Sequence, residues 1–343
     1  MSSLPLPRAG CPKRMVYGPC GGVRDDGTCE MGVVPCVFED LVQPPPGPAL
    51  DPSTVQPSDA PRPRARVPVI LTDLSAPPAN AAALAATARV LSGSCEAVLV
   101  GDHQDRPDFP PSTLARLIAD TGIAPWVTLA CRDRNRISLE QELRAVALDG
   151  LATVLCVTGD GRAYDVRPDV TQAFDLDGTR LAALAASLGL SVAVPETPTA
   201  RPVALRPTRL VHKQLVGADV GVLNHVPTES ELVAFLDTAR AAGLQMPVIA
   251  SVVVFTDHRS ASALTGLPGL QIAPDRLEAV LTADDQVEAG VAAAVDEAMA
   301  LLALPGVEGV NLSGLASSRG AQEAAEVHAE VGRRILAARG GRQ

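Results

Sequence analysis

Four of the chain's seven cysteines, Cys11, Cys20, Cys29 and Cys36, fall in one short run, separated by eight, eight and six residues. The turns "GPCGG" and "DDGTC" free their thiolates to converge on one ion. Four thiolates favour a closed tetrahedral site, which suits structural Zn2+ or an iron–sulfur cluster. So short a segment cannot fold on apolar burial alone, and ligation contributing about 10 kcal/mol or more would supply the missing stability. Cys95, Cys131 and Cys156 lie in or beside apolar runs and are expected as core thiols. A second set of candidates stands at the ends of apolar runs: Asp73, Asp102, Arg132, Asp133, Arg134, Asn135, Asp160, Glu196, Asn224, Ser251 and Asn311. Buried strands need apolar interiors, but nothing structural requires carboxylates and amides to gather at their ends.

The elements that must position these residues follow from periodicity. Eight Val/Ile/Leu-rich runs, at 67–73, 96–102, 125–131, 152–160, 190–194, 219–224, 246–252 and 307–314, read as strands buried on both faces. Amphipathic Ala/Leu stretches between them read as helices, several closed by the glycine expected just past a helix end. Eight β-α units predict an α/β fold, a (β/α)8 TIM barrel, in which strand ends and βα loops carry the chemistry. An open doubly wound sheet is the competing architecture, and no G-x-G-x-x-G loop follows the first strand to support it. Residues 1–41 are expected as a small metal-stabilised cysteine-rich module. Residues 42–66, crowded with proline, are expected as a semi-rigid tether, and residues 67–338 as the barrel.

Net charge is −10 over 343 residues, with no basic stretch long enough to follow a phosphate backbone, which argues against a nucleic-acid partner. No run approaches the roughly 20 uncharged residues that cross a bilayer. The first residues lack a secretion signal, so a soluble, cytoplasmic protein is expected.

Residues 8–40, with "CPKRMVYGPCGGVRDDGTCE" and the fourth cysteine, resemble the cysteine-rich domain called the methylenetetrahydrofolate reductase C-terminal domain, which accompanies such reductases fused or as a separate subunit. Residues 67–338 independently resemble methylenetetrahydrofolate reductase. The segments "TLACRDRNRISLEQELRAVALDGLATVLCVTGD", "AFDLD", "VAVPETP", "LVGADVGVLN", "PVIASV" and "GVEGVNL" follow in that family's order.

The resemblance implies reduction of 5,10-methylenetetrahydrofolate to 5-methyltetrahydrofolate by NADH or NADPH, through FAD or by a flavin-independent route. It makes Asp73 the nearest match to the family's strand-one acid, and Asp160 the acid beside flavin and pterin. Asn224 falls where the family has a pterin-binding glutamine, and Glu196 carries across from the "PE" of the fifth strand. Asn311 is a further candidate for substrate binding. Thr128, Arg132, Asp133, Arg134 and Asn135 occupy the strand-three loop expected to meet the flavin. With eight aromatic residues in the chain, few rings are available to stack on it. The alternatives are a weakened barrel whose module docks it to a partner reductase or corrinoid/folate methyltransferase, and an aldolase using Lys213. A homo-oligomer is compatible with all of these.

Overall fold

The structure, a computed structural model, describes residues 6–41, 66–103, 105–161, 167–266 and 270–340. Apart from Arg66, the expected tether over 42–66 lies outside the described residues.

Eight parallel strands close into a barrel in chain order: β1 (Ile70–Leu74), β2 (Ala97–Val100), β3 (Ala124–Ala130), β4 (Thr153–Val157), β5 (Ser191–Glu196), β6 (Val220–Leu223), β7 (Val248–Phe255) and β8 (Val307–Ala316). Pairing of Leu71 with Asn311 across β1 and β8 completes the ring. Alternation along each strand sorts the side chains. Leu71, Leu99, Trp126, Leu155, Val222 and Ile249 pack together as a cluster of their own, while neighbours such as Ile70, Val98 and Val127 pack into the larger core with the helices. Both faces are buried, which is why each strand reads as a nearly continuous apolar run.

The helices are α1 (Ala81–Leu91), α2 (Pro111–Ala119), α3 (Arg136–Asp149), α4 (Gly178–Ser187), α5 (Arg206–Leu215), α6 (Glu229–Ala241), α7 (His258–Thr265), α8 (Pro274–Leu281), α9 (Gln286–Leu301) and α10 (Ala321–Gly340). Short polar side chains start several of them. Asn80 accepts from the Ala83 N–H at 3.0 Å, and Asp177 from the Arg180 N–H at 2.9 Å. After α3, Gly150 turns the chain at φ 63°.

Two short helices, α7 and α8, intervene after β7 where the periodicity predicts only the long helix that became α9. Each has eight residues, too few turns for an apolar stripe to stand out in the sequence. Tertiary contacts hold them: Arg276 of α8 donates to the Val253 carbonyl at 2.8 Å and pairs with Glu297 of α9.

Close packing seals the barrel's outer layer. A Cβ at Gly332 of α10 would stand 2.2 Å from the Ser94 carbonyl oxygen, a contact real Cβ atoms do not make. Gly332→Ala is expected to push α10 off the β1 side of the barrel and destabilise the fold by about 1–3 kcal/mol. A lowered thermal midpoint in calorimetry would register it, and an unchanged midpoint would contradict the packing.

Residues 6–41 contain no helix and only isolated bridges, Val23 with Cys29 and Thr28 with Pro35. Met15, Val16, Tyr17, Val23 and Phe38 are its buried apolar side chains. So small a core leaves the module dependent on what it leans against.

Candidate functional site

At the C-terminal ends of the strands the mouth of the barrel divides into two adjoining lobes. The first, of about 440 Å³, is lined by Asp73, Leu99, Asp102, His103, Phe109 and Leu264 among others. The second, of about 380 Å³, is lined by Asp160, Glu196, Thr197, Arg209, Lys213 and Asn224, together with Lys13, Cys20 and Glu30 of the N-terminal module. Asp102 and Thr128 line both and mark the junction. Asp73 therefore stands in a different lobe from Asp160 and Asn224.

In the first lobe, Asp73 is the next-to-last residue of β1 and β8 brings Asn311 beside it. The Asn311 amide donates to Asp73 Oδ1 at 3.0 Å, and the Gly314 N–H to Oδ2 at 3.3 Å. Burial pushes the Asp73 carboxyl above the usual aspartate range, against the opposing effect of those donors. Asn311 is buried, and its Oδ1 has no hydrogen-bond partner among the described residues.

The second lobe is built around Glu196, the last residue of β5. Helix α5 presents Arg206, Arg209 and Lys213 to it at 3.3, 3.8 and 2.8 Å, all four side chains being buried. Burial alone would raise the Glu196 carboxyl, but Lys213, Arg209 and Arg206 outweigh it and hold the group at about 2. Burial and repulsion from the arginines bring Lys213 down to about 8, despite the attraction of Glu196. Both shifts are downward: three cations favour the Glu196 carboxylate, whereas at Lys213 burial and two neighbouring guanidinium groups outweigh the one carboxylate they share. Arg209 Nε lacks a hydrogen-bond partner among the described residues. Asn224, just past β6, donates to Thr197 Oγ1 at 3.0 Å, so amide and hydroxyl stand together at the rim.

The strand-three loop spends its side chains on protein partners, in the loop and on its neighbours. Arg132 is 2% exposed; it donates to Asp133 at 2.8 Å, the His103 carbonyl at 2.8 Å and the Asp160 carbonyl at 3.5 Å. Arg134 pairs with Asp102 at 2.5 Å. Asn135 caps α3, accepting from the Ser138 N–H at 2.9 Å. Of the loop residues expected to meet a cofactor, Arg132 lines the second lobe, as does the preceding Thr128.

The N-terminal module roofs the second lobe. Arg206 donates to the carbonyls of Pro19 and Cys20 at 3.4 and 2.9 Å, and Arg209 to that of Tyr17 at 3.1 Å. The Val16 N–H donates to Asp177 at 3.0 Å. Gly21 is needed here, since a Cβ would stand 2.8 Å from Thr197 Oγ1. All four cysteines line one small cavity of about 20 Å³ inside the module. Cys20 also lines the second lobe, its thiol donating to Glu30 at 3.5 Å. Among the described residues no three His, Cys, Asp or Glu side chains are already set as ligands around one ion.

Sequence reasoning did not single out Lys13, Glu30 or Arg209 as site residues. A signal existed for the last: Arg206, Arg209 and Lys213 recur at helical spacing on one face of α5, and that face turns out to be buried.

The methylenetetrahydrofolate reductase family matches residues 96–328, more than half of the 343. The chain belongs to that family. Residues 4–44 match the family described as methylene-tetrahydrofolate reductase C terminal. No curated protein is significantly similar to the chain. Among solved structures, an uncharacterized protein from Clostridium thermocellum, which binds two copies of 5-methyl-5,6,7,8-tetrahydrofolic acid, superposes with a TM-score of 0.58 at 13% identity. The match covers 78% of this chain and 96% of that one. An oxaloacetate acetylhydrolase reaches a TM-score of only 0.38 at 13% identity, over 54% of this chain and 66% of its own. Identities this low speak to the barrel fold and not to the reaction. No helix among the described residues is long and apolar enough to cross a membrane.

Proposed function

We propose that this member of the methylenetetrahydrofolate reductase family reduces 5,10-methylenetetrahydrofolate to 5-methyltetrahydrofolate, with NADH or NADPH as the electron source. The observation that carries the reading is the acid lobe. Asp73 is a carboxyl group raised by burial and oriented by Asn311 and Gly314, in a cavity of about 440 Å³ that opens onto a second, more polar one. Opening the methylene bridge to a 5-iminium ion breaks its bond to N10, and Asp73 would give its proton to that nitrogen. The carboxylates of Asp102, at the junction, and Asp160 would steady the cation that results. Hydride addition to the iminium carbon then gives the methyl group.

The second lobe would take the anionic part of a nucleotide, with Lys13, Arg209 and Lys213 in its walls and, at Arg209 Nε, a donor 3.8 Å from Glu196 that makes no hydrogen bond among the described residues. Among the described residues no aromatic side chain lines it. A reduced nicotinamide held there, or FAD relaying its electrons, would supply the hydride.

The four thiols that line one small cavity are the donor set of a structural Zn2+ ion or an iron–sulfur cluster; no three of them stand as ligands around one point among the described residues, so ligation would have to draw them together. Chelation of the full-length protein is therefore expected to lower its melting temperature and release about one zinc equivalent or the iron of a cluster. A metal-free protein with the same melting temperature would contradict this.

The proposed reaction predicts binding of its product. Calorimetric titration of the full chain with 5-methyltetrahydrofolate should give saturable heat, weakened in Asn311→Ala, whereas absence of binding would remove the reading. A second reading, a weakened barrel docked to a reductase or corrinoid methyltransferase, is favoured by Val33 and Val34, 93% and 53% exposed on the module. Folate binding without hydride transfer from either nicotinamide would select it.

A further inference from the structure

The module does more than cover the barrel. Lys13 is 2% exposed, and its Nζ donates to Glu30 Oε1 at 2.5 Å and to the Gly159 carbonyl at 2.6 Å. The other oxygen of Glu30 accepts from the Gly161 N–H at 2.8 Å. The residues on both sides of Asp160 are thus held by the two members of one ion pair, delivered from 146 and 131 positions away in the chain. The fit is close, since a Cβ at Gly161 would stand 2.2 Å from Met31 Sδ of the module. From the barrel side, Arg132 reaches the Asp160 carbonyl at 3.5 Å. A buried ion pair contributes little net stability once desolvation is counted, so its consequence here is geometric.

We infer that Lys13 and Glu30 are positioning residues of the barrel's ligand site, setting through Gly159 and Gly161 where Asp160 stands in the second lobe. The inference rests on the function proposed above for its choice of ligand and for nothing else. It also gives the module's fusion to the barrel a physical content. Lys13, Cys20 and Gly22 line both the thiol cavity and the second lobe, so a disturbance among the thiols has a direct route to Asp160.

The test uses the full chain with Lys13 and Glu30 replaced together, Lys13→Met with Glu30→Gln, so that no lone charge stays buried. Gly161→Ala independently forces module and loop apart. Amide exchange at Gly161 is expected to rise at least about tenfold in the double variant, and 5-methyltetrahydrofolate affinity to fall roughly ten- to a hundredfold in both. In an Asp160→Asn background the same pair replacement should change affinity less than about twofold, because it acts through Asp160; a merely structural role would add its full effect. Asp26→Ala, which breaks a bond to Thr28 on the module's exposed side, should move neither readout.

Wild-type exchange and affinity in both variants would overturn the inference, as would full additivity with Asp160→Asn. Should the double variant fail to fold, Gly161→Ala decides. Should the wild type bind no folate, the proposed reaction falls while amide exchange still decides the positioning: faster exchange in the double variant supports it and unchanged exchange overturns it.

Discussion

Asp73→Asn is expected to lower turnover of 5,10-methylenetetrahydrofolate by about 10²- to 10⁴-fold, the range for losing a general acid. The substitution keeps size and the partnership with Asn311, so folding should survive, and product binding should stay within about threefold of wild type. The pH profile provides a second check. A proton donor must be protonated, and burial raises the Asp73 carboxyl, so kcat/KM should be full below that raised value and fall as pH climbs through it. In Asp73→Asn the alkaline fall should vanish along with the rate. A variant retaining wild-type turnover with an unaltered profile would assign the proton to another group.

Glu196→Gln should act on stability first. Removing the carboxylate leaves Arg206, Arg209 and Lys213 buried together without their shared counter-charge. Breaking a buried pair from one side costs about 3–5 kcal/mol, enough to unfold many domains of ordinary stability. The pH dependence has a definite sign. Glu196 is held at about 2, below the ordinary 4.5, so its contribution is fully present above 4.5 and is lost as pH falls toward 2. Denaturant midpoints for wild type and variant should therefore differ most near neutral pH and converge only as pH falls toward 2. Equal midpoints near neutrality would mean that the quartet contributes nothing. The same cations hold the carbonyls of Tyr17, Pro19 and Cys20, so loss of the module from the barrel should accompany the destabilisation.

Much of the barrel was legible because parallel strands buried on both faces leave uninterrupted apolar runs, and all eight predicted runs became strands. Helices α7 and α8 were not legible, since eight residues carry too little periodicity and their stability comes from contacts such as Arg276 with Glu297. At the site, strand-end logic brought Asp160, Glu196 and Asn224 into one lobe, whereas Asp73 stands in the adjoining one. Periodicity places a residue at a strand end but does not say how loops partition the space above it. Asn135 illustrates the limit: a short polar residue before a helix reads equally as a ligand or a cap, and here its side chain caps α3. Lys13 and Glu30 were hidden for another reason. Their partners Gly159 and Gly161 lie on a different part of the chain, and only docking of the module brings them together.

The central claim is that the two lobes bring a folate one-carbon unit and a hydride donor together at Asp102 and Thr128, with Asp73 supplying the proton. Its most direct test is oxidation of NADH or NADPH by the purified protein with 5,10-methylenetetrahydrofolate, with and without added FAD, the folate product being identified by mass. The account predicts folate-dependent oxidation yielding 5-methyltetrahydrofolate, largely lost in Asp73→Asn. No folate-dependent oxidation of either nucleotide by the wild-type protein, with or without flavin, would contradict it.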